Sequence, residues 1–127
     1  MAVSAVILKD TDFETVVKVT TTGTNSAASI VDASALDGAA SNPSLSIVAF
    51  QWTTGSQTNI LFDASSNDVA LSLNGNGAYN TASQAMPSIA NPGSGGATGD
   101  ILLTNGSASV GTIWLKLRKT SGYDNLQ

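Results

Sequence analysis

The sequence predicts an all-β fold: a single-domain β-sandwich, jelly-roll or immunoglobulin-like, of seven to nine short antiparallel strands. Three observations carry this. Apolar residues recur at every second position over much of the chain, the period of a half-buried strand. Clusters of Gly, Asn, Ser and Asp interrupt that pattern about every ten residues. No segment sustains the apolar spacing of a long helix. At 127 residues the chain is expected to form one domain, 1–127, large enough to hold a core without covalent staples.

The elements follow in order. Val3–Lys9 and Phe13–Thr21 read as strands on either side of Asp10-Thr11-Asp12. In the second, Phe13, Thr15, Val17 and Val19 fall on one face, and Glu14, Val16 and Lys18 on the other. Ser29–Leu36 fits either a short helix or an extended segment; Gly38 and Asn42-Pro43 stop it early, which favours the extended form. Leu45–Thr53 is apolar on both faces, with Val48, Phe50 and Trp52 opposite Leu45, Ile47 and Ala49. That pattern predicts a central strand covered on both sides.

Thr54-Gly55-Ser56 reads as a turn before the strand Gln57–Asp63. Ser65-Ser66-Asn67 reads as the next, and Asp68–Asn74 puts Val69, Leu71 and Leu73 on one face. Asn74-Gly75-Asn76-Gly77 supplies two Asn-Gly pairs, residues that tolerate positive φ. Ala78–Gly99 is long and weakly patterned, the kind of segment that is functional or ordered by a partner. Asp100–Asn105 and Val110–Lys119 are the last strands; Ile113, Leu115 and Leu117 oppose Trp114, Lys116 and Arg118.

Composition removes most reaction classes. There is no cysteine and no histidine, so thiol chemistry, disulfides, imidazole general bases and His-ligated metals are excluded. Charged residues make up 11%, against about 25% in an ordinary domain. Five basic and nine acidic residues give a net charge of −4, which disfavours nucleic-acid binding for want of a basic surface. Polarity comes from Ser, Thr and Asn, as in extracellular or assembled β-proteins. Met1 to Lys9 lacks a basic start and a long apolar run, which predicts no secretory signal. No apolar stretch reaches the roughly 18 residues of a membrane-spanning helix.

The candidate sites reduce mostly to structure. Asp10, Asp12 and Glu14 lack the glycine and distal glutamate of a calcium loop and read as a solvated turn. Asp63 and Asp68 sit at two ends of one turn, not across a cleft as paired carboxylates would. Gly75-Asn76-Gly77 and Gly93-Ser94-Gly95-Gly96 precede no helix, so neither is a phosphate loop. Nothing marks Lys9, Lys18, Lys116 or Lys119 as the base of a Ser-Lys pair. Asn105-Gly106-Ser107 reads as a turn. The chain is therefore read as non-enzymatic, with no cofactor and no metal.

The aromatic residues carry the remaining signal. Trp52 shares the face of Phe50 and is expected in the core. Trp114 lies beside Lys116 and Arg118, either at an interface or covered by a loop of its own chain. Tyr123, after Gly122, reads as an anchor for the tail. The candidate interface residues are Trp114, Lys116, Arg118 and Tyr123.

Several strings follow one another in a familiar order: Asp32-Ala33-Ser34-Ala35-Leu36, Leu45-x-Ile47 with Trp52 downstream, and Ile60-x-Phe62-Asp63-Ala64. Leu71-x-Leu73-x-Gly75, Thr98-Gly99-Asp100-Ile101-Leu102-Leu103-Thr104 and Thr112-Ile113-Trp114-Leu115-Lys116-Leu117-Arg118-Lys119 complete the series. From about residue 30 to 120 the chain resembles the small virion structural proteins of tailed bacteriophages, marine phages included, that decorate the head. These are strand and turn patterns rather than catalytic signatures.

The resemblance implies a capsid decoration or cement protein, made in the host cytoplasm and bound in many copies to the outer surface of the major capsid protein shell. It implies contacts with the major capsid protein and with other copies, as a homo-oligomer (dimer or trimer) or as neighbours on the shell, and none with nucleic acid or membrane. The 78–99 segment and both termini are the parts expected to reach neighbours, and the Trp114 patch would suit an acidic capsid surface. A tail, neck or fibre module and a carbohydrate-binding sandwich are the alternatives.

Overall fold

The computed structural model describes residues 2–11, 13–36, 38–79, 87–93, 95–105 and 110–123. These form β1 (Ala2–Asp10), β2 (Glu14–Thr22), β3 (Asn25–Val31), a 3-10 turn (Ala33–Ala35), β4 (Ala39–Phe62), β5 (Asp68–Tyr79), β6 (Ile101–Asn105) and β7 (Gly111–Tyr123). Every pairing is antiparallel, in the order β1-β2-β7-β4-β6-β3, with β5 also on β4. The fold is all-β, as expected. Ser29–Leu36 divides: it is extended to Val31 and turns as a 3-10 segment over Ala33–Ala35. Asp32 caps that segment by accepting from the Ser34 N–H at 3.1 Å.

One sheet makes both layers, because β4 passes from one to the other. Up to Thr54 it pairs with β7, and from Thr58 to Phe62 with β6. β5 follows it through the bend: Thr54 pairs with Gly75 and Thr58 with Leu73, leaving Gly55 to Gln57 opposite Asn74. The two turns expected at Thr54-Gly55-Ser56 and Asn74-Gly75-Asn76-Gly77 are therefore the two sides of one bulged bend. The chain reverses at neither. Gly75 takes φ of 75°, and the extra residues on β4 sharpen the twist. The strands are longer than the sequence suggests, 24 residues in β4 and 13 in β7.

Bulges also correct the faces. In β4, Ile47 pairs with Leu117 and Ala49 with Lys116, so Val48 is an extra residue. The inward set changes phase there, from Leu45 and Ile47 to Phe50 and Trp52. The two apolar faces read in Leu45–Thr53 are one inward face split by a slip, not burial on both sides. In β5, Ile60 pairs with Leu71 and Leu61 with Val69, which leaves Ala70 extra. Val69 is thereby exposed while Ala70, Leu71 and Leu73 pack on the core. Phe13 is also outside, exposed in the turn before β2 rather than on the inward face of Thr15, Val17 and Val19.

The core lies between the layers. Val17, Val19, Ile113, Leu115 and Leu117 from the first layer meet Ile30, Val31, Phe62, Ile101 and Leu103 from the second. The second half of the 78–99 segment is held by its own chain. Ile89 exchanges two backbone hydrogen bonds with Ile47, at 2.9 and 2.7 Å. The Ser65 N–H donates to the Gly95 carbonyl at 3.0 Å, and the Thr98 hydroxyl to Asp63 at 2.6 Å. Gly99, at φ of 85°, packs where a Cβ would collide with the Pro43 carbonyl. Residues 80–86, Ser94, Asp12, Gly106-Ser107, Met1 and 124–127 lie outside the described residues, so the reach expected of the termini falls there.

Candidate functional site

The outward face of β1, β2, β7 and β4 is the candidate surface. Alternation puts Ile113, Leu115, Leu117 and Lys119 of β7 inside, and Trp114, Lys116 and Arg118 outside. Register then sets their neighbours. Trp114 stands between Lys18 of β2 and Gln51 of β4, and Lys116 between Val16 and Ala49. Arg118 stands between Glu14 and Ser46. Lys9 of β1 pairs with Val16 on its other side, and Val6 with Lys18.

A shallow groove of about 400 Å³ runs over this face, lined by Val16, Val48, Ala49, Gln51, Trp114 and Lys116. Trp114 is 37% exposed, so no described segment of the chain covers it. It is the uncovered member of the two alternatives the sequence leaves open.

Charge is segregated. Four of the five basic residues, Lys9, Lys18, Lys116 and Arg118, lie on this face, with Glu14 as their acidic neighbour. Glu14 contacts Lys9 at 2.8 Å and Lys116 at 3.5 Å. The hydrogen bond from Lys9 is the main reason its carboxyl is held below the usual value. Asp10 instead pairs with Lys119 at 2.7 Å, so the expected solvated acidic turn has its described carboxylates bound to three lysines on two sides of the sheet. Among the described residues no three acidic or other ligating side chains converge as a metal site.

Tyr123 does not belong to the surface. It is buried, its hydroxyl donating to the Ala33 carbonyl at 2.9 Å. Burial, then the charges of Asp10, Asp100 and Asp32, push its phenol upward. The Lys119 ammonium stands 5.1 Å from its ring centre. Tyr123 anchors the end of β7 as the sequence suggests, but in its own core and not at an interface. Trp52 also packs on the core, 5.4 Å from Phe50, which stacks on Tyr79 at 5.0 Å.

Two features escaped sequence reasoning. The first is a row of carboxylates. Val31, Ile101, Phe62 and Asp68 are aligned across β3, β6, β4 and β5. Asp32, Asp100 and Asp63 occupy the next position outward on their strands. Three acids thus border one end of the second layer, and none of the three is in an ion pair among the described residues. Asp68, opposite the inward Phe62, has one carboxylate oxygen buried without a hydrogen-bond partner among the described residues. Burial, then the neighbouring Asp32 and Asp63, raise the Asp100 carboxyl, against the Ala33 N–H that bonds it at 2.8 Å. Strand register alone brings these three together, and it is not visible in one dimension.

The second is the edge strand β1. Among the described residues it pairs with β2 alone. Val6, Ile7 and Leu8 are 52, 50 and 54% exposed, and Phe13 in the adjoining turn is 56% exposed. The signal was present as three consecutive apolar residues, a run that a strand buried on one face does not need. Comparison with family models, curated proteins and solved structures finds no match for this chain. No helix among the described residues is long and apolar enough to cross a membrane.

Proposed function

We propose that the protein is a non-enzymatic structural component of a tailed-phage virion. In this reading it is a capsid decoration or cement protein on the outer surface of the head. The observation that carries the reading is the β1 edge. Its backbone groups, unpaired on one side among the described residues, and the exposed Val6, Ile7 and Leu8 form an apolar strand edge of the kind isolated proteins protect with charge, proline or a cover. Such an edge has a use in an assembly, where a strand of the major capsid protein extends the sheet. The resemblance over residues 30–120 supports the same reading.

The mechanism is mechanical. A stiff sandwich seated across a seam buries about 800 Å² on each partner in a standard interface. Once one capsid subunit is held, contact with the next is effectively intramolecular, so modest affinities add to a firm clamp. The test uses expanded heads of the phage that encodes this chain. Purified protein is expected to co-sediment with them and raise their disruption temperature. The exposed-edge variant Val6→Lys with Leu8→Lys is expected to fold normally and lose both effects. Absence of binding at every maturation stage rejects the reading. Cross-linking to tail subunits instead would favour the tail module.

A further inference from the structure

We infer that copies of this protein bind one another head to tail, the cationic Trp114 face of one on the carboxylate row of the next. The two surfaces are complementary in charge. One carries Lys9, Lys18, Lys116 and Arg118 around an exposed indole, with Glu14 between Lys9 and Lys116; the other carries Asp32, Asp63 and Asp100 without an ion-pair partner among the described residues. They are also complementary in size. Neighbouring strands lie about 4.8 Å apart, so a row across β4, β6 and β3 is about 10 Å long, the same as Lys9 to Lys116 across β1, β2 and β7.

They lie on different layers, so the two surfaces of one copy cannot pair with each other. A contact between unlike surfaces is heterologous and extends to rings or arrays rather than closing as a dimer. Trp114 supplies the apolar centre of the contact and the lysines its rim, the arrangement in which an aromatic residue contributes most. This inference does not depend on the virion reading, because it uses neither the β1 edge nor a capsid subunit.

The experiment is sedimentation of the full chain over a concentration series at low and high salt. Mean mass is expected to rise with concentration in 20 mM NaCl. The association constant is expected to fall at least about tenfold by 500 mM, where the screening length is under 5 Å. The face variant Lys116→Glu with Arg118→Glu, and the row variant Asp32→Asn with Asp63→Asn, are each expected to be monomeric. Mixed, they are expected to form a one-to-one complex that grows no further, since each retains one working surface.

A monomeric wild type, association indifferent to salt, association retained in either variant, or no complex on mixing overturns the inference. If charge reversal unfolds the face variant by circular dichroism, Lys116→Gln with Arg118→Gln carries the same test. A wild type that stays monomeric but binds heads overturns this contact and leaves the proposed function standing. Salt-sensitive self-association without head binding does the reverse.

Discussion

The Lys119 ammonium lies 2.7 Å from the Asp10 carboxylate, and its side chain is wholly out of solvent. The pair joins the end of β1 to the end of β7. Lys119 also donates to the Thr11 carbonyl at 2.6 Å, and Asp10 accepts from the Thr15 hydroxyl at 3.0 Å. A buried charge is tolerated here because nearly every direction around it holds a partner. Removing one member leaves the other uncompensated. Lys119→Met is expected to cost about 3 kcal/mol in urea unfolding. Lys119→Met with Asp10→Asn is expected to recover part of it; a double variant no better than the single one would contradict the pairing.

Thr54, at the bend of β4, is buried, and its hydroxyl has no hydrogen-bond partner among the described residues. An unsatisfied buried hydroxyl costs about 1–3 kcal/mol. Thr54→Val keeps the branched shape and removes that oxygen. It is expected to raise stability by about 1 kcal/mol, read as a higher urea midpoint with an unchanged slope.

Gly77 faces the Trp52 indole so closely that an added Cβ would stand 2.7 Å from the ring. The ring also donates from Nε1 to the Asn74 carbonyl at 3.3 Å. Gly77→Ala is expected to push the indole outward, redden tryptophan emission and cost about 1–2 kcal/mol through forced repacking. Gly95→Ala meets nothing within 4 Å and serves as the control, with little change in either reading.

Asp100 has its carboxyl raised by burial and by Asp32 and Asp63. The folded protein therefore holds this proton more tightly than the unfolded chain does. Ionised Asp100 is a cost at neutral pH, relieved as pH falls through its folded value. Glu14 acts the other way: its lowered value adds stability above the ordinary carboxylate range, lost as pH falls through the folded value. Stability is thus expected to rise slightly as pH falls through the raised folded value of Asp100, before acid unfolding sets in. Asp100→Asn keeps an acceptor for the Ala33 N–H and is expected to flatten that rise in a melting series.

Period-two alternation made the all-β fold legible, together with the inward faces of β2 and β7 and the outward placement of Trp114, Lys116 and Arg118. These depend on residues two apart on one strand, and the sequence states that spacing directly. The bulges at Val48 and Ala70 were not legible. A bulge changes the phase of a strand without changing its composition, so it reads as a strand with two apolar faces. The bend at Gly55 and Gly75 was read as two turns because the same residues serve both.

What the sequence determined by itself was the strand period, the absence of cysteine and histidine chemistry, and the low charge. Those are properties of residues and their nearest neighbours. Tertiary structure alone decided that Tyr123 is buried under Ala33 and Lys119, that Lys9 and Arg118 share a face, and that Asp32, Asp63 and Asp100 form a row. Each of these depends on which strands pair and in what register, and that is settled by packing one long, bent β4 against β7 on one side and β6 on the other.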